Sequence, residues 1–99
     1  MRPIHTAQLD KRRPVLILTR GLVRPHMARV TVAPITTTVR GLSTEVPVGT
    51  ANGLEADGVI SCDNIVTIQA NVLGPQIGAL LLGQEDTLTA AIHAAFDLE

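Results

Sequence analysis

Apolar positions along the chain fall into short runs punctuated by turn residues. Val15 to Thr19 (VLILT) is an unbroken run, the pattern of a strand buried on both faces. Ala28 to Ile35 (ARVTVAPI) predicts a second buried strand. Ile4 to Leu9 predicts a short edge strand, and Pro14 suits the first residue of the next one. Thr44 to Val48 (TEVPV) alternates, and Pro47 confines it to an edge. Gly58 to Cys62 and Ile65 to Ile68 predict two more strands, with Asp63 and Asn64 at their junction. Gly74 to Leu82 predicts the last. Asp10 to Arg13 is a polar turn, Arg20 to Met27 a loop containing Gly and Pro, and Gly49 to Gly53 a turn of small residues.

From Gly83 the period changes. Leu88, Ile92, Ala95 and Phe96 recur at helical spacing, which predicts one amphipathic helix from about Glu85 to Phe96. Gly83 serves as its N-cap, and Glu85 and Asp86 in the first turn favour the helix dipole. Short strands with turn signals and one terminal helix predict a mainly β, α+β fold: a small β-barrel with an attached C-terminal helix. Its 99 residues make a single domain.

Composition sharpens this picture. A chain this short buries roughly 65% of its unfolded surface, so a second subunit would add to a small core. Phe96 is the only aromatic residue, so Val, Ile, Leu and Ala build the interior. Binding of nucleic acid by stacking bases on aromatic side chains is thereby disfavoured. Cys62 is the only cysteine, is flanked by apolar residues, and reads as a small core residue. With no internal disulfide, no signal peptide evident and no apolar stretch near the ~20 residues of a membrane span, a cytoplasmic protein is expected.

Charge is strongly segregated. All eight basic residues lie between Arg2 and Arg40, with Asp10 the only acid in that range; from Ser43 onward there are eight acids and no Lys or Arg. The two parts carry +7 and −8. If the basic part forms one face, that face attracts polyanions. Otherwise the chain has two solvated faces of opposite sign.

Candidate chemistry is sparse. No metal-ligand spacing links His5, His26 and His93 with a cysteine, and no phosphate loop is present. His93 reads as a surface helix residue. His5 and His26 are a conceivable acid–base pair, though nothing in the sequence brings them together. Arg12-Arg13-Pro14 ahead of a buried strand is either a solvated turn or a pair of guanidinium groups on a barrel rim, suited to phosphate. Thr36, Thr37 and Thr38, followed by Arg40-Gly41, are either strand formers or hydroxyls presented to a ligand.

Five segments, taken in order, resemble the MazF/PemK family of toxin endoribonucleases: RRPVLILT (12–19), VTVAPITTT (30–38), TEVPV (44–48), GVISCDNIVTI (58–68) and LGPQIGALL (73–81), the last followed by the helix. The resemblance implies an SH3-like barrel of the MazF/PemK/CcdB type, a homodimer, and a cognate MazE-like antitoxin. It implies metal-independent, cofactor-independent cleavage of single-stranded RNA, leaving a 2′,3′-cyclic phosphate and a 5′-hydroxyl. It implies a catalytic pair at Arg13 and Thr36, with RNA contacts from Lys11, Arg12, Thr37, Thr38, Arg40 and Asn64. The chemistry suits the pair: a guanidinium offers two N–H donors to charge building on phosphoryl oxygens, and the threonine hydroxyl binds the phosphate or orients the 2′-hydroxyl. The resemblance leaves the general base unassigned.

The chain departs from the family in several places. MRPIHTAQLDK is shorter than the usual opening and lacks its Gly-Asp pair and Gly-rich loop. Val66, Asn71 and Ala79 stand near positions that are often basic, and Asn64 stands where Gln is common. Two other classes remain: a CcdB-like toxin that poisons a protein target such as gyrase, and a catalytically inactive RNA-binding module. Arg13 and Thr36 together weigh against a pure protein binder.

Overall fold

The structure is a computed structural model and describes residues 2–21 and 28–98. Seven strands precede one helix: β1 (Pro3–Gln8), β2 (Arg12–Ile17), β3 (Arg29–Thr36), β4 (Glu45–Val48), β5 (Gly58–Ser61), β6 (Val66–Gln69), β7 (Leu73–Ala79) and α1 (Glu85–Ala95). The strands hydrogen-bond in the order β4-β5-β3-β2-β1-β7, with β6 also on β3. Every pairing is antiparallel. The sheet curls like a barrel without its end strands β4 and β7 pairing with each other, so the expected barrel class holds with an open seam.

The curl comes from β3 changing partners along one edge. Arg29 to Val32 pair with β6, whereas Ile35 and Thr36 pair with β5. The 3-10 turn Cys62–Asn64 joins β5 to β6 at that change. The alternation of β2 and β3 then serves two cores. Leu16, Ala33 and Ile35 face one cluster with Ile4, Val46, Ile60, Leu80 and Leu88. Val15, Ile17, Val30 and Val32 face the other, with Ala7. The continuous apolar run in β2 is therefore buried on both sides, as its pattern predicts.

Most strand ends fall one to three residues from expectation, with β2 ending at Ile17 and β7 at Ala79, and other differences are larger in kind. β1 is interior, because β7 pairs along its free side. β2 begins at Arg12, which makes Pro14 its third residue; the β2–β3 ladder starts only at Val15, so the missing proline N–H interrupts no recorded pair on that side. The N-cap of α1 is Gln84, because a 3-10 turn over Leu82–Gln84 precedes the helix. Leu88 and Ala91 supply the helix's buried contacts, whereas Phe96, expected in the stripe, is the C-cap and 57% exposed. Pro47 does sit in an end strand. The Arg20 to Met27 loop, including His26, falls largely outside the described residues. No helix among the described residues is long and apolar enough to cross a membrane.

Candidate active site

The tight β1–β2 hairpin sets Arg13 opposite Ala7. Thr36 is the last residue of β3, not the residue after it, and pairs with Val59 of β5. Two neighbouring strands thus carry Arg13 and Thr36 to one end of the sheet. The Arg13 Nη2 donates to the Asp10 carboxylate at 3.0 Å. Its Nε–H is buried and has no hydrogen-bond partner. An unpaired buried donor is costly, so this one marks Arg13 as a residue held at some expense to stability.

Thr36 is held with equal economy. The Thr38 N–H donates to Thr36 Oγ1 at 3.1 Å, which occupies one acceptor site and leaves the hydroxyl proton free to donate. Gly58 makes this placement possible. A Cβ on Gly58 would stand 2.4 Å from the Thr36 carbonyl oxygen, so only glycine lets β5 lie this close.

Two hollows meet at this pair, and both are lined by Arg13 and Thr36. The first, about 420 Å³, has apolar walls that include Pro14, Ile35, Leu54 and Ile77, with Arg12, Thr37 and Glu55 as polar neighbours. The second, about 340 Å³, is more polar and includes Thr38, Arg40, Glu45, Asp63 and Asn64. The threonine run is thereby divided: Thr36 serves both hollows, Thr37 the first and Thr38 the second.

Seven of the eight residues singled out in the sequence line these hollows. Lys11 does not; it is exposed in the β1–β2 turn. Arg12 donates to Thr6 Oγ1 at 3.2 Å, and Asn64 donates to Ser61 Oγ at 2.8 Å. Both are held beside the hollows by polar contacts. Nor do the basic residues form an unmixed face. Glu55 enters the first hollow, Glu45 and Asp63 enter the second, and Arg2 pairs with Glu85 at 3.4 Å.

Sequence reasoning passed over several residues that shape the site. Asp10, read only as part of a turn, is the carboxylate on Arg13. The Lys11 backbone N–H, and then Arg13, hold its carboxyl below the ordinary aspartate range. Its i,i+3 spacing from Arg13 across a tight turn was the available signal. Glu45 accepts the N–H groups of Arg40 and Leu42 at 3.0–3.2 Å and so shapes the segment that carries Arg40. Asn52, only 3% exposed, bonds the Gly49 N–H, the Ala79 carbonyl and both polar atoms of the Gln84 side chain. This knot fixes the 49–57 segment against the start of α1.

Other candidates recede. His5 Nδ1–H donates to the Gly74 carbonyl at 2.9 Å, a structural contact between β1 and β7, and His5 lines neither hollow. Cys62 is buried in the larger core, and burial, followed by the nearby Asp63 charge, pushes its thiol up to about 11. It is protonated at neutral pH and inert as a nucleophile. Among the described residues, no group of three or more His, Cys, Asp or Glu is placed to hold a metal ion.

The chain resembles known proteins along nearly its whole length. A family model described as PemK-like, MazF-like toxin of type II toxin-antitoxin system matches residues 2–96. The chain is 67% identical to endoribonuclease MazF3 of Mycobacterium tuberculosis over 99 residues, covering 100% of this chain and 96% of that protein. The solved structure of the Mycobacterium tuberculosis toxin MazF-mt6 superposes with a TM-score of 0.97 at 66% identity over 99% of each chain. A mycobacterial endoribonuclease in complex with its cognate antitoxin superposes with a TM-score of 0.88 at 26% identity, over 98% of this chain and 93% of that one. The chain belongs to the PemK/MazF family of toxins of type II toxin–antitoxin systems.

Proposed function

We propose that this chain is a sequence-specific, metal-independent endoribonuclease toxin that cuts single-stranded RNA. The observation that carries the reading is the convergence of Arg13 and Thr36 between two hollows, with the Arg13 Nε–H buried and unpaired. In this reading the scissile phosphate lies across that pair. The ribose 2′-oxygen forms a bond to phosphorus and the bond from phosphorus to the 5′-oxygen breaks. A 2′,3′-cyclic phosphate and a 5′-hydroxyl result. The 2′-hydroxyl proton passes to solvent water, and one proton is delivered to the departing 5′-oxygen.

Each residue has a defined part. Asp10 holds Nη2 and fixes the plane of the guanidinium, whose accessible N–H groups meet the charge building on a phosphoryl oxygen. In the same reading the Arg13 guanidinium protonates the leaving oxygen and is reprotonated from water. The free Thr36 proton donates to the phosphate, or the hydroxyl orients the 2′-hydroxyl. Arg12 and Arg40 take flanking phosphates, with Lys11 reached only by RNA extending past the β1–β2 turn, and Thr37, Thr38 and Asn64 contact the nucleotides on either side. Affinity then falls with salt, as expected when phosphates are neutralised by basic side chains.

The similar mycobacterial endoribonuclease was solved in complex with its cognate antitoxin, which supports a MazE-like antitoxin as the partner of this chain. A homodimer fits the exposed apolar end of α1, where Phe96 and Leu98 are 57% and 56% exposed. Cleavage in the cell would inhibit translation and growth.

The test is cleavage of a long single-stranded RNA in EDTA by the purified chain. Arg13→Ala and Thr36→Ala should each lower the rate by at least about 100-fold with the fold retained, the scale expected for loss of a transition-state donor. Variants cutting at the wild-type rate would refute the assignment. A wild-type chain that cuts no RNA would instead favour protein poisoning or RNA binding alone.

A further inference from the structure

Three carboxylates line the two hollows, and two of them are already engaged. Glu45 accepts the Arg40 and Leu42 N–H groups. Asp63 Oδ2 accepts the Thr44 hydroxyl at 2.6 Å. Glu55, in the first hollow, has no hydrogen bond or ion pair among the described residues, although Arg12 and Arg13 line the same hollow. A carboxylate beside a phosphate-binding site opposes binding of an anion, so its presence calls for a ligand group that needs an acceptor.

The wall that carries Glu55 is rigid. Gly53 has a φ of +88°, and a Cβ on it would stand 2.3 Å from the Ile77 carbonyl oxygen. A Cβ on Gly78 would likewise fall 1.7 Å from the Asn52 carbonyl oxygen. Backbone therefore lies on backbone where the 52–53 segment crosses β7. The Asn52–Gln84 hydrogen bonds lock that crossing from behind. Leu54 and Glu55 follow directly, so the backbone that leads into them is held on its N-terminal side.

Pro14, Ile35, Leu54 and Ile77 give the hollow of about 420 Å³ an aliphatic part, beside the polar part made by Thr6, Arg12, Arg13, Thr36 and Thr37. Aliphatic walls accept the faces of an unstacked base, and a single polar group then reads its edge. A carboxylate pairs with an exocyclic amino group and repels the carbonyl oxygens of uracil. We infer that Glu55 is a specificity-determining residue: it selects, at one of the two nucleotides flanking the cleaved bond, a base bearing an exocyclic amino group over uracil. The inference rests on the endoribonuclease reading above and extends it to the choice of base.

The test uses purified chain and a panel of short single-stranded RNAs built on a mapped cleavage site. In the panel, each flanking base is replaced in turn by uracil or by an amino-bearing base. Wild type should favour the amino-bearing base by about tenfold or more at one flanking position, the scale of a good base-edge pair. Glu55→Gln, which gains a donor suited to the uracil carbonyl, should bring that ratio to within about threefold. Glu55→Ala, which can contact neither edge, should do the same. An unchanged ratio in both variants overturns the inference while leaving the nuclease reading intact. Equal cutting of uracil and amino-bearing RNAs by wild type also overturns it. A wild type that cuts no RNA overturns both readings.

Discussion

Gly58→Ala tests whether the placement of Thr36 depends on the close approach of β5. The added Cβ would meet the Thr36 carbonyl oxygen at 2.4 Å and the Thr37 Cα at 3.4 Å. Both atoms belong to backbone, so neither can swing aside as a flexible side chain would. Relief requires the two strands to part, by roughly 1 Å if ordinary non-bonded separations are restored. Overpacking of this kind costs about 1–3 kcal/mol. For a domain of this size the melting temperature should fall by about 5–20 °C. A displacement near 1 Å at a reacting group can lower the rate by up to about 100-fold, so kcat should fall roughly 10- to 100-fold. The assay is single-turnover cleavage of labelled RNA in EDTA, run well below the variant's melting temperature so that unfolded protein does not contribute. Gly83→Ala is the matched control. Nothing lies within 4 Å of its Cβ, and its φ is not in the left-handed region, so it should cut like wild type with equal or slightly greater stability. If Gly58→Ala cuts within twofold of wild type at an unchanged melting temperature, Thr36 is not held by this contact and the reasoning fails.

Two further predictions concern the scaffold. Asn52→Ala removes the partners of Gly49 N–H, the Ala79 carbonyl and part of the Gln84 side chain, all near a buried position. It should cost about 2–4 kcal/mol in denaturant unfolding, and an unchanged midpoint would mean that water replaces the amide. Cys62, whose thiol is raised to about 11 from an ordinary 9.0, should make stability depend on alkaline pH. Its contribution is complete below about pH 9, where the thiol is protonated in both states. It is lost as pH rises towards 11, because the unfolded thiol ionises first. The loss is on the order of 2 kcal/mol, and Cys62→Ala should remove that part of the pH dependence. A variant with the same alkaline decline as wild type would assign the decline to other groups.

Much of the fold was legible because strand burial here is simple. VLILT reads as a strand covered on both sides, and Val15, Leu16 and Ile17, the part of it within β2, are each at most 1% exposed. The two-residue period of β3 likewise separates Val30 and Val32 from Ala33 and Ile35. What could not be read was pairing. Ile4 to Leu9 looks like an edge because its sequence shows no sign of β7 closing on it from the far end of the chain. Phe96 follows the helical period by one residue too many, since the helix ends before it. The same limit applies to the site. Arg13 and Thr36 were found through the family resemblance, and local chemistry alone left both ambiguous. Asp10 was overlooked because a charged residue in a turn usually serves only solubility. Glu55 and Asn52 lie in a segment whose composition says turn and nothing more. Their contacts, to the first hollow and to Gln84, come from distant parts of the chain.

The double duty of β3 constrains how such a molecule can diversify. A single inserted residue within that strand would exchange its two faces, sending Val30 and Val32 toward the core built for Ala33 and Ile35. Added or deleted residues are best accommodated where no strand register is at stake. Such places are the β1–β2 hairpin, the stretch between β3 and β4 and the turn at Cys62–Asn64. Each of them contributes to, or directly adjoins, one of the two hollows. A scaffold that resists alteration in its middle thus leaves its ligand-facing ends open to variation.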